Sequence, residues 1–162
     1  MKTFTLIFKL WPITFLELLS MYINISLHGH YLKADTDDYM ADPDFTLSFE
    51  ERDEYLYAFV NGIRDSVDVS KGFWKQIHLK AKESGFHRIL VEEDFPNQIT
   101  IVEMFEVAEY IAELYHNMKI AHVDKRLTDF DLNRFGETVS TNRGLQGKVF
   151  NQVAEAEQWL IH

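Results

Sequence analysis

The sequence contains no cysteine. That excludes a disulfide framework, a thiolate zinc site and a thiol nucleophile. It suits a reducing cytoplasm, which is the expected location. A surplus of positive charge is also missing: 16 Lys and Arg stand against 26 Asp and Glu, for a formal net charge of −10. Nucleic-acid binding draws on a basic surface that neutralises phosphates, and anionic membranes attract the same kind of surface. Neither is an expected partner of this acidic chain. No phosphate-binding loop, dinucleotide fingerprint or serine nucleophile elbow occurs. No catalytic residue, metal or cofactor is therefore assigned from motifs. The 162 residues suffice for one domain with its own core and are too few for two ordinary ones.

Long uncharged apolar runs are absent too. The segment "FTLIFKLWPITFLELLSMYINISL" is strongly apolar, but Lys9 and Glu17 interrupt it and Pro12 kinks any helix there. None of its uncharged runs reaches the roughly 18 residues a spanning helix requires. It carries no small-residue cleavage site of the signal-peptide kind. Residues 1–39 are read as an apolar extension, either from a start assigned too early or as a loosely attached amphipathic segment. A membrane is expected as a partner only through this extension. "MADPDFTLSF", from Met40, has the look of a natural start, and the organised domain is placed at residues 40–162. His28 and His30 form an "HGH" pair with no third ligand nearby, too little for a metal site.

What the chain does have, from residue 45, is regularly changing periodicity. "FTLSFEE" alternates as a strand, and "YLYAFVNG" follows as its antiparallel partner. Next comes a helix with Phe73, Trp74, Ile77 and Ala81 on one face, closed by Gly85. "HRILVEEDF" and "KIAHVDKR" read as strands covered on both faces. Between them, "TIVEMFEVAEYIAELYHN" is a strong helix. Its expected apolar stripe is Ile101, Met104, Phe105, Ala108, Ile111, Ala112 and Tyr115, with Glu103, Glu106, Glu109 and Glu113 on the remaining surface. "TDFDLNRFGETVSTNRG" is a helix with a Thr128/Asp131 start signature. "GKVF" is a short strand, and a last helix is expected to be capped by Asn151. The order β-β-α-β-α-β-α-β-α predicts an α/β fold: one layered domain, a mostly parallel sheet of about five strands with an antiparallel edge strand, and four helices.

In "NRG", Asn142 and Gly144 fit a turn that ends a helix. Arg143 is the candidate anion contact there. The strand order and the closing "RFGETVSTNRGLQGKVFNQVAEAEQWL" resemble the SpoIIAA-like branch of the STAS superfamily over nearly all of the body and none of the leader. The resemblance implies a non-enzymatic regulatory module of a bacterial, STAS or SEC14-like kind. In the antagonist members it also implies a phosphorylated serine in an Asp-Ser-x-Gly turn at a helix start. The corresponding "EEDFPNQITIVEMF" lacks that turn. Thr100 is the only hydroxyl at the helix start and is the candidate phosphosite.

Ligands of open α/β sheets gather beyond the carboxyl ends of the strands. Those ends carry Asp65, Glu92, Glu93, Asp94 and Asp124, a candidate strand-end site. Grouped carboxylates suit Mg²⁺, and Lys125 is the near basic partner a receiver-type site requires. The alternative is that they are loop and cap residues. His122, in mid-strand, is read as a hydrogen-bonded core residue rather than a base. Three functional expectations follow. The first is protein binding, by an unidentified partner or through a homodimer. The second is binding of a small apolar ligand or lipid between helices and sheet, lined by Phe73, Trp74, Phe105, Tyr110 and Tyr115. The third is metal-dependent chemistry at the carboxylates.

Overall fold

The computed structural model describes residues 38–41, 44–126, 128 and 130–162. The leader, with His28 and His30, lies outside the described residues. Six strands form one sheet in sequence order: β1 (Asp38–Ala41), β2 (Phe45–Glu51), β3 (Leu56–Gly62), β4 (Arg88–Asp94), β5 (Lys119–Asp124) and β6 (Gln146–Phe150). The helices are α1 (Val67–Ser84), α2 (Ile101–Leu114), α3 (Phe130–Thr141) and α4 (Val153–Ile161). The α/β class, the antiparallel edge and the four helices are as expected. β1 is an additional short strand outside β2. It pairs antiparallel with it and begins two residues before Met40.

Strands β3 to β6 run parallel and advance one way across the sheet. Right-handed crossovers between such neighbours lay every connecting helix on the same face. Accordingly, α1, α2 and α3 pack on one face, and α4 covers the other. The first core centres on Phe73, fully buried, with Phe45 and Phe95 ring centroids at 6.0 and 5.9 Å. The buried Tyr115 hydroxyl donates to the Trp74 carbonyl at 2.6 Å, tying the end of α2 to α1. The second core contains Leu90, Val123, Phe150 and Leu160. In β4, Ile89 and Val91 enter the first core and Leu90 the second, as a strand covered on both faces requires.

Helix ends follow local chemistry. The Ser66 hydroxyl accepts from the Val69 amide at 3.3 Å, and Gly85 closes α1 at φ 77°, where only glycine is unstrained. Gly144, at φ 92°, turns the chain from α3 into β6. Its amide donates to Thr141 and the Leu145 amide to Ser140. The "NRG" stretch is thus a helix-ending turn. The start signature at Thr128 borders residues 127 and 129, outside the described residues, and α3 itself begins at Phe130.

Two expectations change. The α4 cap is Gln152, without a side-chain hydrogen bond, rather than Asn151. The buried sector of α2 is turned toward Val107: Val107, Ala108, Ala112 and Tyr115 are buried, whereas Ile101 is 59% and Phe105 40% exposed. The cause is the close approach of α3. A Cβ on Gly136 would meet Met104 Sδ at 2.6 Å, so the small residue lets α3 pack closely against α2 at Met104. Among the described residues no helix is long and apolar enough to cross a membrane.

Candidate functional site

Side chains alternate between the two faces of a strand. Glu93 therefore shares the helical face with Ile89 and Val91, and His122 and Asp124 share it with Ile120. The parallel register sets Glu93 beside Asp124 and Val91 beside His122. Asp65 arrives from the loop after β3, which the Asn97 side chain clamps: the Asp65 amide donates to Asn97 Oδ1 at 2.8 Å, and Asn97 Nδ2 donates to the Asp65 carbonyl at 3.1 Å. These groups stand under α2 and α3 at the carboxyl ends of β3, β4 and β5, where this class of sheet binds ligands.

They line a cavity of about 90 Å³. Met104, Val107, Ile111, Leu132 and Val149, among others, supply apolar lining to the same cavity. Such a space holds several waters or a molecule of a few heavy atoms, well below the usual size of a drug-like pocket. Of the five aromatic residues expected to line a pocket, Trp74 does so. Phe73 and Tyr115 are plain core, Phe105 is exposed, and Tyr110 is half-buried.

The polar lining is tightly bonded. His122 Nε2 lies 3.1 Å from Glu93 Oε2. Asp65 Oδ1 accepts from Ser70 Oγ and the Ser66 amide, both at 2.8 Å. Asp124 accepts from the Arg126 amide and from Asn133 Nδ2, each at 2.8 Å. Glu137 of α3 lines the same cavity and accepts from the Val149 amide at 2.7 Å.

Burial raises the Asp65 pKa to about 7, with the charge of Glu93 adding to the effect and the Ser70 and Ser66 hydrogen bonds opposing it. Burial likewise raises Asp124, while the Arg126 amide opposes. For His122, burial alone would favour the neutral ring; the hydrogen bond and charge of Glu93 and the charges of Asp124 and Asp65 outweigh it, and the pKa moves up.

The sequence-derived strand-end set divides. Asp65, Glu93 and Asp124 meet at the cavity. Glu92 points to the other face, where it accepts a hydrogen bond from the Tyr57 hydroxyl and pairs with Lys125 at 3.4 Å. Lys125, held there and stacked 4.4 Å from the Phe59 ring centroid, is not the basic partner of the three carboxylates. Asp94 ends β4, half-buried and outside the cavity lining. Among the described residues no three His, Asp or Glu side chains converge as metal ligands do. Thr100 is exposed and caps α2: its hydroxyl accepts from the Glu103 amide at 3.3 Å, and Glu103 Oε2 accepts from the Thr100 amide at 2.7 Å. Arg143 donates to the Val139 carbonyl at 3.0 Å, pairs with Glu109 and covers the Phe105 ring.

Sequence reasoning placed neither His122 in a site nor Asn97, Asn133 and Glu137 near one. The parity of β4 and β5 carried the signal for His122, two residues before Asp124 on the same face. Asn133 and Glu137, one helical turn apart, share a face of α3, but only the packing of α3 shows which way that face turns.

The pKa shifts give stability a sign. An Asp65 carboxyl titrating near 7 when folded, against about 3.9 unfolded, binds more proton in the folded state between those values. Stability therefore falls as pH rises through that window. His122, raised, acts in the same direction; His78, lowered by burial and by Lys82, opposes it near pH 6. Replacing Asp65 removes one contribution cleanly. In urea unfolding, Asp65→Asn is expected to exceed the wild type in stability at pH 8 by on the order of 2 kcal/mol, the gap closing toward pH 4. A gap of the opposite sign at pH 8, or one independent of pH, contradicts the assignment.

No family model matches the chain, and no curated protein matches it. Among solved structures, it is similar to an uncharacterised protein of the DUF3478 family with a SpoIIAA-like fold from Shewanella loihica PV-4. That likeness covers 78% of this chain and 98% of the other, at 10% identity and a TM-score of 0.43. The description agrees with the resemblance read from the closing residues. At that identity and score the likeness carries over no function, partner or site residue.

Proposed function

We propose that this protein is a non-enzymatic regulatory module that holds a small molecule in the strand-end cavity and offers the outer side of α2 to a protein partner. The observation that carries this reading is the double role of α2. Met104, Val107, Ala108 and Ile111 line the cavity, while Ile101 and Val102, at 59% and 75% exposure, stand out on the same helix beside Phe105, 40% exposed under the Arg143 guanidinium. A rigid helix touching both a ligand space and an exposed apolar patch has the means to relay occupancy of one to the other.

Ligand binding is tested with fragments of a few heavy atoms, screened by ligand-observed NMR against the full chain. Hits are expected, and Ala108→Leu, which adds three carbons to the cavity wall at a stability cost of about 1–3 kcal/mol, is expected to abolish them. No hits, or hits that survive the substitution, contradict the reading. Docking is tested with a photo-crosslinking side chain in cells. At Val102 it is expected to yield a discrete protein adduct, and at Lys82 on α1 none; equal yields at the two positions argue against α2 as the docking face.

A further inference from the structure

The chemistry of the cavity lining narrows the ligand class. Four carboxylates line the space, those of Asp65, Glu93, Asp124 and Glu137, and one imidazole, that of His122. No Lys or Arg is among the lining residues. Lys125 is drawn to Glu92 on the opposite face. Arg126 donates its guanidinium to the Pro96 carbonyl at 3.1 Å and gives Asp124 only its backbone amide. Arg134 pairs with Glu137 at 3.2 Å while its own side chain stays half exposed. The polar part of the lining thus holds more acid than base.

Such a lining discriminates by charge. An anionic head group entering here would leave water to face four lining carboxylates with His122 as the one basic side chain among the lining residues, a costly burial. A neutral hydroxyl gains hydrogen bonds but leaves the crowded acids as they are. An ammonium supplies three donors and a compact positive charge. A carboxylate oxygen accepts more than one hydrogen bond, so the existing bonds from Ser70, Asn133 and His122 leave acceptor capacity for it. Charge-assisted bonds of this kind are about twice as strong as neutral ones. The apolar lining of Met104, Val107, Ile111, Leu132 and Val149 takes a short hydrocarbon body, and the small cavity limits it to a few carbons.

We infer that the ligand is a small aliphatic amine bound as its ammonium ion, with the charged head among Asp65, Glu93 and Asp124 and the carbon body against α2 and α3. This inference rests on the cavity reading proposed above and adds the sign of the ligand's charge.

The test compares three probes of equal chain length against the full-length protein at neutral pH: n-butylammonium chloride, n-butanol and sodium butyrate. Binding is followed by perturbation of the Trp74 indole and His122 imidazole NMR signals at fixed ionic strength, which separates the cavity from diffuse attraction to an acidic surface. Butylammonium is expected to bind at least about tenfold more tightly than butanol, and butyrate not measurably. Glu93→Gln and, separately, Asp65→Asn are each expected to weaken butylammonium by about tenfold and butanol by clearly less. Either variant suffices should the other fail to fold. Butanol or butyrate binding as tightly as the amine, with Ala108→Leu abolishing it, overturns the amine and leaves the cavity reading standing. Failure of all three probes to shift either signal overturns the amine as well, and the fragment screen then decides the cavity separately.

Discussion

The contact between Glu93 and His122 is the constraint around which the rest is arranged. A carboxylate and an imidazole 3.1 Å apart, with Asp65 and Asp124 close enough to raise the proton affinity of His122, must be kept largely out of bulk water by something. The sheet supplies the spacing, since the parallel register of β4 and β5 fixes Glu93 beside Asp124. The right-handed crossovers supply the roof, because they place α2 and α3 on the face these side chains share. Neither element alone makes a site. Without the roof the acids are ordinary solvated strand ends; without the register they scatter to both faces, as Glu92 does.

Burying carboxylates costs stability unless hydrogen bonds and opposite charge offset it. Here Ser70, Asn133, the Ser66 and Arg126 amides and the imidazole offset part of the cost, and the raised proton affinities of Asp65 and Asp124 express the remainder. A fold concerned only with stability would fill this space with aliphatic side chains, as the α4 side of the sheet does with Leu90, Val123 and Leu160. Buried acids retained at one place in an otherwise apolar core are the pattern expected of a functional site. The helical face above β4 and β5 leaves about 90 Å³ open beneath the strand ends.

Much of the architecture is legible in the sequence because periodicity carries it. The strands of residues 88–94 and 119–124 and the buried face of α1 through Phe73, Trp74, Ile77 and Ala81 follow from spacing alone. The edge strand β1 was not legible, since "DYMA" has no alternation long enough to count. The α2 stripe was misread because helical spacing defines an apolar side but not which part of it a neighbour covers; Gly136 decides that from another helix. The cavity was half legible. Its carboxylates sit at strand ends, as the fold class implies, and counting parity separates Glu93 from Glu92. Asn133 and Glu137 were beyond reach, because their relation to the strands exists only once α3 has packed. Thr100 illustrates the opposite limit. Its capping box is written in "TIVE", and that local role uses both its hydroxyl and its amide whatever else the residue does.

The claim beneath all of this is that Asp65 and His122 share a largely buried, proton-retaining cleft. Carbon-detected NMR titration of the Asp65 carboxyl and the His122 ring in the full-length protein measures it directly. The expected result is an Asp65 midpoint near 7 together with a His122 midpoint above its ordinary value of about 6.5. An Asp65 midpoint near 4 with His122 at or below 6.5 would mean that both groups are solvated, and would contradict the claim.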